Sequence, residues 1–327
     1  MLERFGIDEP QRIQRTAHGL LNRVWQVDAA DGRRWILKQY LDDGGHASSG
    51  ALSAQHRTIA ALAASGLPAV PPASAEDGRT LVLQRGRRYA LFPFVDGAPP
   101  GSLPLAAAAG LGTLLGSIHA ELRRIQPPVL DACGPWPTAD PEQTHITITT
   151  LLGAARARTP REPIDALAEQ RLRERLVLLD AYASRRPGPR GAPPAGWVHG
   201  DFHPLNLLYR DERAVAVLDW DRLGVKPVTE EAVRAATQFF SAPASGVLDL
   251  ARVRAYARAY RAASGHSPEQ MAAGVHRVWW ERLNDFWMLR WRYARRDDRA
   301  NELFPAAAAQ IVWWCEEYQQ VLDAYVN

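Results

Sequence analysis

Lysine is almost missing from this chain. Of its 39 basic residues only Lys38 and Lys226 are lysines and the other 37 are arginines, so a lysine in a recognisable motif stands out. Cysteine is as scarce: Cys133 and Cys315 cannot build a disulfide framework or a thiolate metal cluster, which fits a reduced, cytoplasmic protein. No apolar stretch of signal-peptide length follows Met1, so export is not expected. The longest apolar run, Leu103 to Leu115, is interrupted by glycines and reads as too short and alanine-rich to cross a bilayer. Excess charge is also lacking. A net +3 over 327 residues, despite a pI near 9.0, is no footprint of a polyanion binder, so neither nucleic acid nor membrane is an expected partner. What the chain does have is 46% hydrophobic residues with 9% aromatics, enough for one large or two ordinary domain cores.

The first ninety residues carry strand signals. Val24–Val27 and Trp35–Tyr40 are β-prone and are separated by the turn Ala30-Asp31-Gly32, which predicts a hairpin. Leu52, His56, Ile59, Leu62 and Ala63 then recur at helical spacing until Gly66 and Pro68, and Thr80–Gln84 and Arg88–Val95 read as two further strands. The segment Phe92–Pro100, with three prolines and a glycine, reads as a connector. Beyond it helices are expected at Leu105–Leu122, Ile164–Ala183, Glu230–Phe240, Leu248–Ala263, Glu269–Arg296 and Glu302–Tyr325. Proline-rich loops are expected at Gln126–Thr144 and Arg186–Gly196. The expectation is an α+β, two-lobed chain. It has a small antiparallel-sheet lobe with one helix over 1–91, a hinge over 92–100 and a larger, mainly helical lobe over 101–327.

The chemistry concentrates after the second proline-rich loop, in Trp197-Val198-His199-Gly200-Asp201-Phe202-His203-Pro204-Leu205-Asn206. Thirteen residues beyond Asn206 a strand-like run, Ala214–Leu218, ends in Asp219-Trp220-Asp221. Phosphoryl transfer asks for an aspartate to take a hydroxyl proton, an asparagine five positions later for Mg²⁺, and a second aspartate after the next strand. Asp201, Asn206 and Asp219 meet those spacings. His199 is expected to shape the loop by hydrogen bonding. His203 would pack the loop or touch phosphate, and Asp221 would assist the metal site or cap the turn.

This pattern resembles the aminoglycoside phosphotransferase and choline kinase superfamily, small-molecule kinases with a protein-kinase-like fold. The resemblance covers most of the chain. His18-Gly19-Leu20-Leu21-Asn22-Arg23-Val24-Trp25 looks like the nucleotide loop, Trp35-Ile36-Leu37-Lys38 like the strand with the phosphate-binding lysine, and Leu115-Gly116-Ser117-Ile118-His119 like a family helix ending in His. It implies ATP or GTP with Mg²⁺. Gly19, Asn22 and Lys38 would hold the nucleotide, backbone groups at Pro93, Phe94 and Val95 the base, Asn206 and Asp219 the metal, and Asp201 the acceptor hydroxyl. One position departs: where relatives carry an acid to pair the strand lysine, this chain reads Gln55, so Lys38 is expected to find another partner, Asp219 among them. After Asp221 there is no room for a long activation segment, which counts against a protein kinase and implies constitutive activity.

Late tryptophans, Trp280 and Trp287 among them, lie at helical spacing that suits a core or a substrate wall, and Glu281 and Asp285 would suit an amine-bearing acceptor. The expected activity is transfer of a γ-phosphate to a small-molecule hydroxyl, with antibiotic inactivation or self-resistance as the first acceptor reading. A metabolic kinase for homoserine, choline or a sugar is the second. A nucleotide-binding module without transfer is the rival from another class.

Overall fold

The computed structural model describes residues 1–16, 22–41, 48–126, 136–188 and 191–327. Gly19 and Cys133 fall outside the described residues. The chain forms two compact units. The first comprises Met1–Gly101, Glu121–Gln126 and His199–Gly224, and the second Ser102–Ala120, Pro127–Val198 and Val225–Asn327.

The first unit is built on a five-stranded antiparallel sheet in the order β1-β2-β3-β5-β4. Its strands are β1 (Pro10–Arg15), β2 (Arg23–Ala29), β3 (Arg34–Tyr40), β4 (Val82–Gln84) and β5 (Arg87–Pro93), with helix α1 (Ser49–Ala64) between β3 and β4. The period-2 alternation of β3 sorts its side chains. Trp35 and Leu37 join Leu2, Ile7, Val27, Ala29 and Leu91 on one face, whereas Tyr40 lies on the other with Leu52 of α1, Ala90 and Phe92. Lys38 shares the parity of Tyr40, so the lysine stands on the α1 face of the sheet, its Nζ 5.2 Å from the centre of the Tyr40 ring.

The segment 199–224 groups with this sheet rather than with the helices, because its hairpin is hydrogen-bonded into the unit. Strands β7 (Leu207–Arg210) and β8 (Arg213–Val217) pair antiparallel around Asp211 and Glu212, both at positive φ, as a tight hairpin turn requires. Tyr209 exchanges backbone hydrogen bonds with Ala98, and the Val217 N–H donates to the Pro68 carbonyl.

The second unit is helical. It contains most of α2 (Leu105–Ile125), then α3 (Pro141–Ala157), α4 (Pro163–Tyr182), α5 (Val228–Phe239), α6 (Leu250–Ser264), α7 (Pro268–Asn284), α8 (Trp287–Arg290), α9 (Phe304–Glu316) and α10 (Tyr318–Val326), with β6 (Ala195–Val198) paired to β9 (Gly224–Pro227). Helix α2 continues past the apolar run to Ile125 and as a whole is long and apolar enough, by length and composition, to cross a membrane. Half of its most apolar window is buried within the protein, Leu111, Leu115 and Ile118 nearly completely. Its buried His119 bridges Glu231 of α5, at 2.8 Å, and Tyr260 of α6, at 2.9 Å.

Three helical stretches differ from the periodicity reading, one of them Glu302–Tyr325, which divides at Glu317 into α9 and α10. Gln126–Thr144 reads as loop from its prolines, yet α3 begins at Pro141 with Asp140 capping the N–H groups of Glu142 and Gln143. The expected helix Glu269–Arg296 breaks at Asp285, where buried Arg175 donates to the carbonyls of Arg282 and Leu283 and so ends α7. Beyond the break come α8 and a π-helical turn, Trp291–Arg295. Its Arg292 is fully buried and binds Asp165 at 2.8 Å, Asp298 at 2.8 Å and Glu162 at 2.9 Å.

Candidate active site

The site is assembled within the first unit by three segments: β3, the loop 199–206 and the turn 219–222. β6 runs into His199, whose Nε2 lies 2.9 Å from the Leu218 carbonyl while its Nδ1 accepts the Asp201 N–H at 3.2 Å. Through these two hydrogen bonds His199 ties the start of the loop to the end of β8. Its ring lies 4.5 Å from that of Trp220, itself buried with its indole N–H on the Val217 carbonyl.

Gly200 makes the next contact possible. Its φ is +86°, and a Cβ there would lie 2.1 Å from the Arg222 carbonyl oxygen, so only glycine lets the loop and the turn lie this close. The loop then closes on itself. His203 caps the short helical turn Pro204–Asn206 through its Nδ1, which accepts the Leu205 N–H, and the Asn206 amide donates to the Asp201 carbonyl at 2.9 Å. This fixes the Asn206 amide nitrogen, so that Oδ1 is the end that could ligate a cation. Burial holds the His203 imidazole below its ordinary pKa, outweighing the attraction of Asp201. The Asp201 carboxylate is partly exposed, 3.8 Å from His203 Nε2 and 3.8 Å from Arg222 Nε.

Lys38 reaches both aspartates of the turn directly, with Nζ 2.8 Å from Asp219 and 2.7 Å from Asp221. Burial of the ammonium works against its charge, yet Asp221 and Asp219 overcompensate and hold its pKa above the ordinary value. The two acids divide. Asp219 stays below the usual carboxylate value because Lys38 outweighs its burial, whereas burial and the neighbouring Asp219 push Asp221 up. Asp219 adopts a left-handed backbone, φ 56°, a costly conformation that turns its side chain toward the lysine. The Gln55 amide of α1 donates to the Trp220 carbonyl. Asn22 donates to Asp221 and accepts from the Leu41 N–H at 3.1 Å.

The donor set suits a divalent cation that needs few protein ligands. Among the described residues no group of three or more His, Cys, Asp or Glu side chains could cage an ion. Mg²⁺ needs no such cage, since it keeps waters and takes one or two carboxylates together with substrate phosphates. Asn206 Oδ1 and Asp219 fit it, with Asp221 in reserve.

In the hinge, Pro93 has no N–H and the Phe94 N–H is already donated to the Arg34 carbonyl at 3.1 Å. Val95 is therefore the one of the three expected base-contact residues whose N–H has no partner among the described residues. The late residues are spoken for in the second unit. Trp280 is a core side chain with its indole N–H on the Ala139 carbonyl, and Glu281 pairs with Arg234 at 2.9 Å. Asp285 and Trp287 line a cavity of about 40 Å³, room for a few waters. Burial raises the pKa of Asp285. Arg222 is the site residue that the spacing template does not contain; only its place after Asp221 could have drawn attention to it.

Residues 12–266 match the model of the APH phosphotransferase enzyme family. The chain belongs to that family. Among curated proteins, a homoserine kinase of Granulibacter bethesdensis is 29% identical over 161 residues, 49% of this chain and 44% of that protein. A homoserine kinase of Burkholderia ambifaria is 27% identical over 247 residues, 70% of this chain and 68% of that one. The chain thus spans under half the length of the first relative. Among solved structures, spectinomycin phosphotransferase APH(9)-Ia in complex with ADP and spectinomycin superposes with a TM-score of 0.65 at 14% identity, over 96% of this chain and 95% of that one. The likeness at that identity is one of fold, the α+β fold of small-molecule kinases.

Proposed function

We propose that the chain is a nucleotide-dependent small-molecule O-phosphotransferase. The observation that carries the reading is Lys38 meeting the Asp219–Asp221 turn while Asn206 is anchored to the backbone of Asp201, all in one unit. Asp201 accepts the acceptor's hydroxyl proton. The hydroxyl oxygen forms a bond to the γ-phosphorus of ATP or GTP as the bond from that phosphorus to the β,γ-bridging oxygen breaks. The nucleoside diphosphate leaves and the proton passes from Asp201 to solvent. Lys38 neutralises phosphate charge, and Asn206 and Asp219 hold Mg²⁺, which when bound would offset charge on the transferring group.

A small hydroxyl-bearing metabolite of the homoserine kind is the favoured acceptor, because the curated relatives are homoserine kinases. An antibiotic acceptor is the second reading, favoured by the fold shared with a spectinomycin phosphotransferase. Against a polycationic acceptor stands the commitment of Glu281 to Arg234. The test couples nucleoside diphosphate release to a panel of homoserine, choline, sugars and aminoglycosides. Asp201→Asn should cut turnover by roughly 10²–10⁴-fold while nucleotide binding persists. Nucleotide binding without acceptor-dependent turnover, unchanged in the variant, would establish the non-catalytic module instead.

A further inference from the structure

The charge beside the proton acceptor bears on what the acceptor must be. Arg222 ends the turn that starts at Asp219, and its Nε stands 3.8 Å from Asp201 Oδ2. The guanidinium is 56% exposed, and this is its closest ion pair among the described residues. Lys38 differs, being 11% exposed and held by two carboxylates. The position of Arg222 is not incidental, since its backbone oxygen lies 2.1 Å from where a Gly200 Cβ would be. The contact that seats Asp201 therefore also seats Arg222.

A hydroxyl handing its proton to Asp201 must come to about 3 Å from that carboxylate. The same hydroxyl then stands within one small molecule's length of an arginine whose remaining N–H donors have no partner among the described residues. Arginine presents planar paired donors that match a carboxylate, and a cationic group brought there would meet repulsion instead. On the loop that carries Asp201, Leu205 is 68% exposed.

We propose that Arg222 is a specificity-determining residue that binds a carboxylate on the acceptor, so that the acceptor is a compact hydroxy acid or hydroxy amino acid. This rests on the phosphotransferase reading and narrows its substrate class.

The experiment uses the full chain with ATP and Mg²⁺ and acceptors in matched pairs that differ by one carboxylate: L-homoserine against 3-aminopropan-1-ol, L-serine against ethanolamine, and L-threonine against 1-aminopropan-2-ol. Spectinomycin serves as the bulky cationic comparison. The wild type should prefer the carboxylate-bearing member of at least one pair in kcat/KM. Arg222→Met should collapse that preference by roughly 10–100-fold, chiefly through KM, and Arg222→Lys should restore part of it. ATP-induced thermal stabilisation of each variant checks that it folds. A wild type that favours no carboxylate-bearing member, or a variant that lowers both members of a pair alike, overturns the proposal. The latter would mean that Arg222 serves Asp201 or the phosphate. Failure of the underlying reading looks different, as no nucleotide consumption with any acceptor.

Discussion

Gly200→Ala isolates the contact on which the site depends. The added methyl would lie 2.1 Å from the Arg222 carbonyl oxygen and 2.8 Å from the Arg222 carbonyl carbon and Cβ, all backbone or close to it. Relief to ordinary contact parts the loop from the turn by about 1.3 Å, on a scale where ~1 Å of misplacement costs roughly 100-fold in rate. The positive φ adds about 1–2 kcal/mol and the overpacking about 1–3 kcal/mol, so the variant should lose about 2–5 kcal/mol of stability. Gly32→Ala is the matched control. It carries a similar φ of +80° in the β2–β3 turn but meets nothing within 4 Å, so it should show the backbone cost alone and keep its turnover. Denaturant unfolding gives the stabilities, and acceptor-dependent nucleotide consumption gives the rates. If Gly200→Ala and Gly32→Ala proved alike in both, the close approach of loop and turn would not be what seats Asp201.

Two further outcomes follow from buried charge. Burial holds the His56 imidazole at about 4, below its ordinary 6.5, with Tyr40 and Thr80 on its two nitrogens. A depressed pKa gives a contribution that is whole above pH 6.5 and lost as pH falls toward 4, by up to about 3 kcal/mol; the stability gap between wild type and His56→Asn should shrink over that window, and a pH-independent gap would refute it. Arg292→Met should cost about 3–5 kcal/mol in chemical denaturation because it strands the fully buried Asp165, and adding Asp165→Asn should recover part of it. Recovery of nothing would mean that the loss comes from packing.

The candidate constellation could be picked out because the phosphoryl-transfer template fixes spacing, and Asp201, Asn206 and Asp219 stand at its intervals. The β2–β3 hairpin and α1 were legible through alternation and helical period. Strand β1 was not. It is an edge strand with all six residues exposed, so Pro10-Gln-Arg-Ile-Gln-Arg shows no buried face to read. Helix α3 is rich in threonine, which lowers helix propensity, and its signal lay in the Asp140-Pro141 start. The break after α7 has no glycine or proline to announce it. It is made from 107 residues away by Arg175, and such long-range capping leaves no local trace. The partner of Lys38 was half legible: Gln55 announced that the acid was gone, but its use of the Trp220 carbonyl is a tertiary fact. Arg222 carried no template signal, and its meaning depends on a distance.

The lysine held between Asp219 and Asp221 has a practical side. With arginine elsewhere, the chain offers amine-reactive reagents two side chains, Lys38 and Lys226. Acylation needs a free, uncharged amine, and an ammonium gripped at 2.8 and 2.7 Å with its pKa held high withholds that form. Lys38 is thus chemically silent while its two carboxylates keep it and becomes modifiable when they let go. The near absence of lysine makes this single residue a mass-spectrometric reporter of whether the site is assembled.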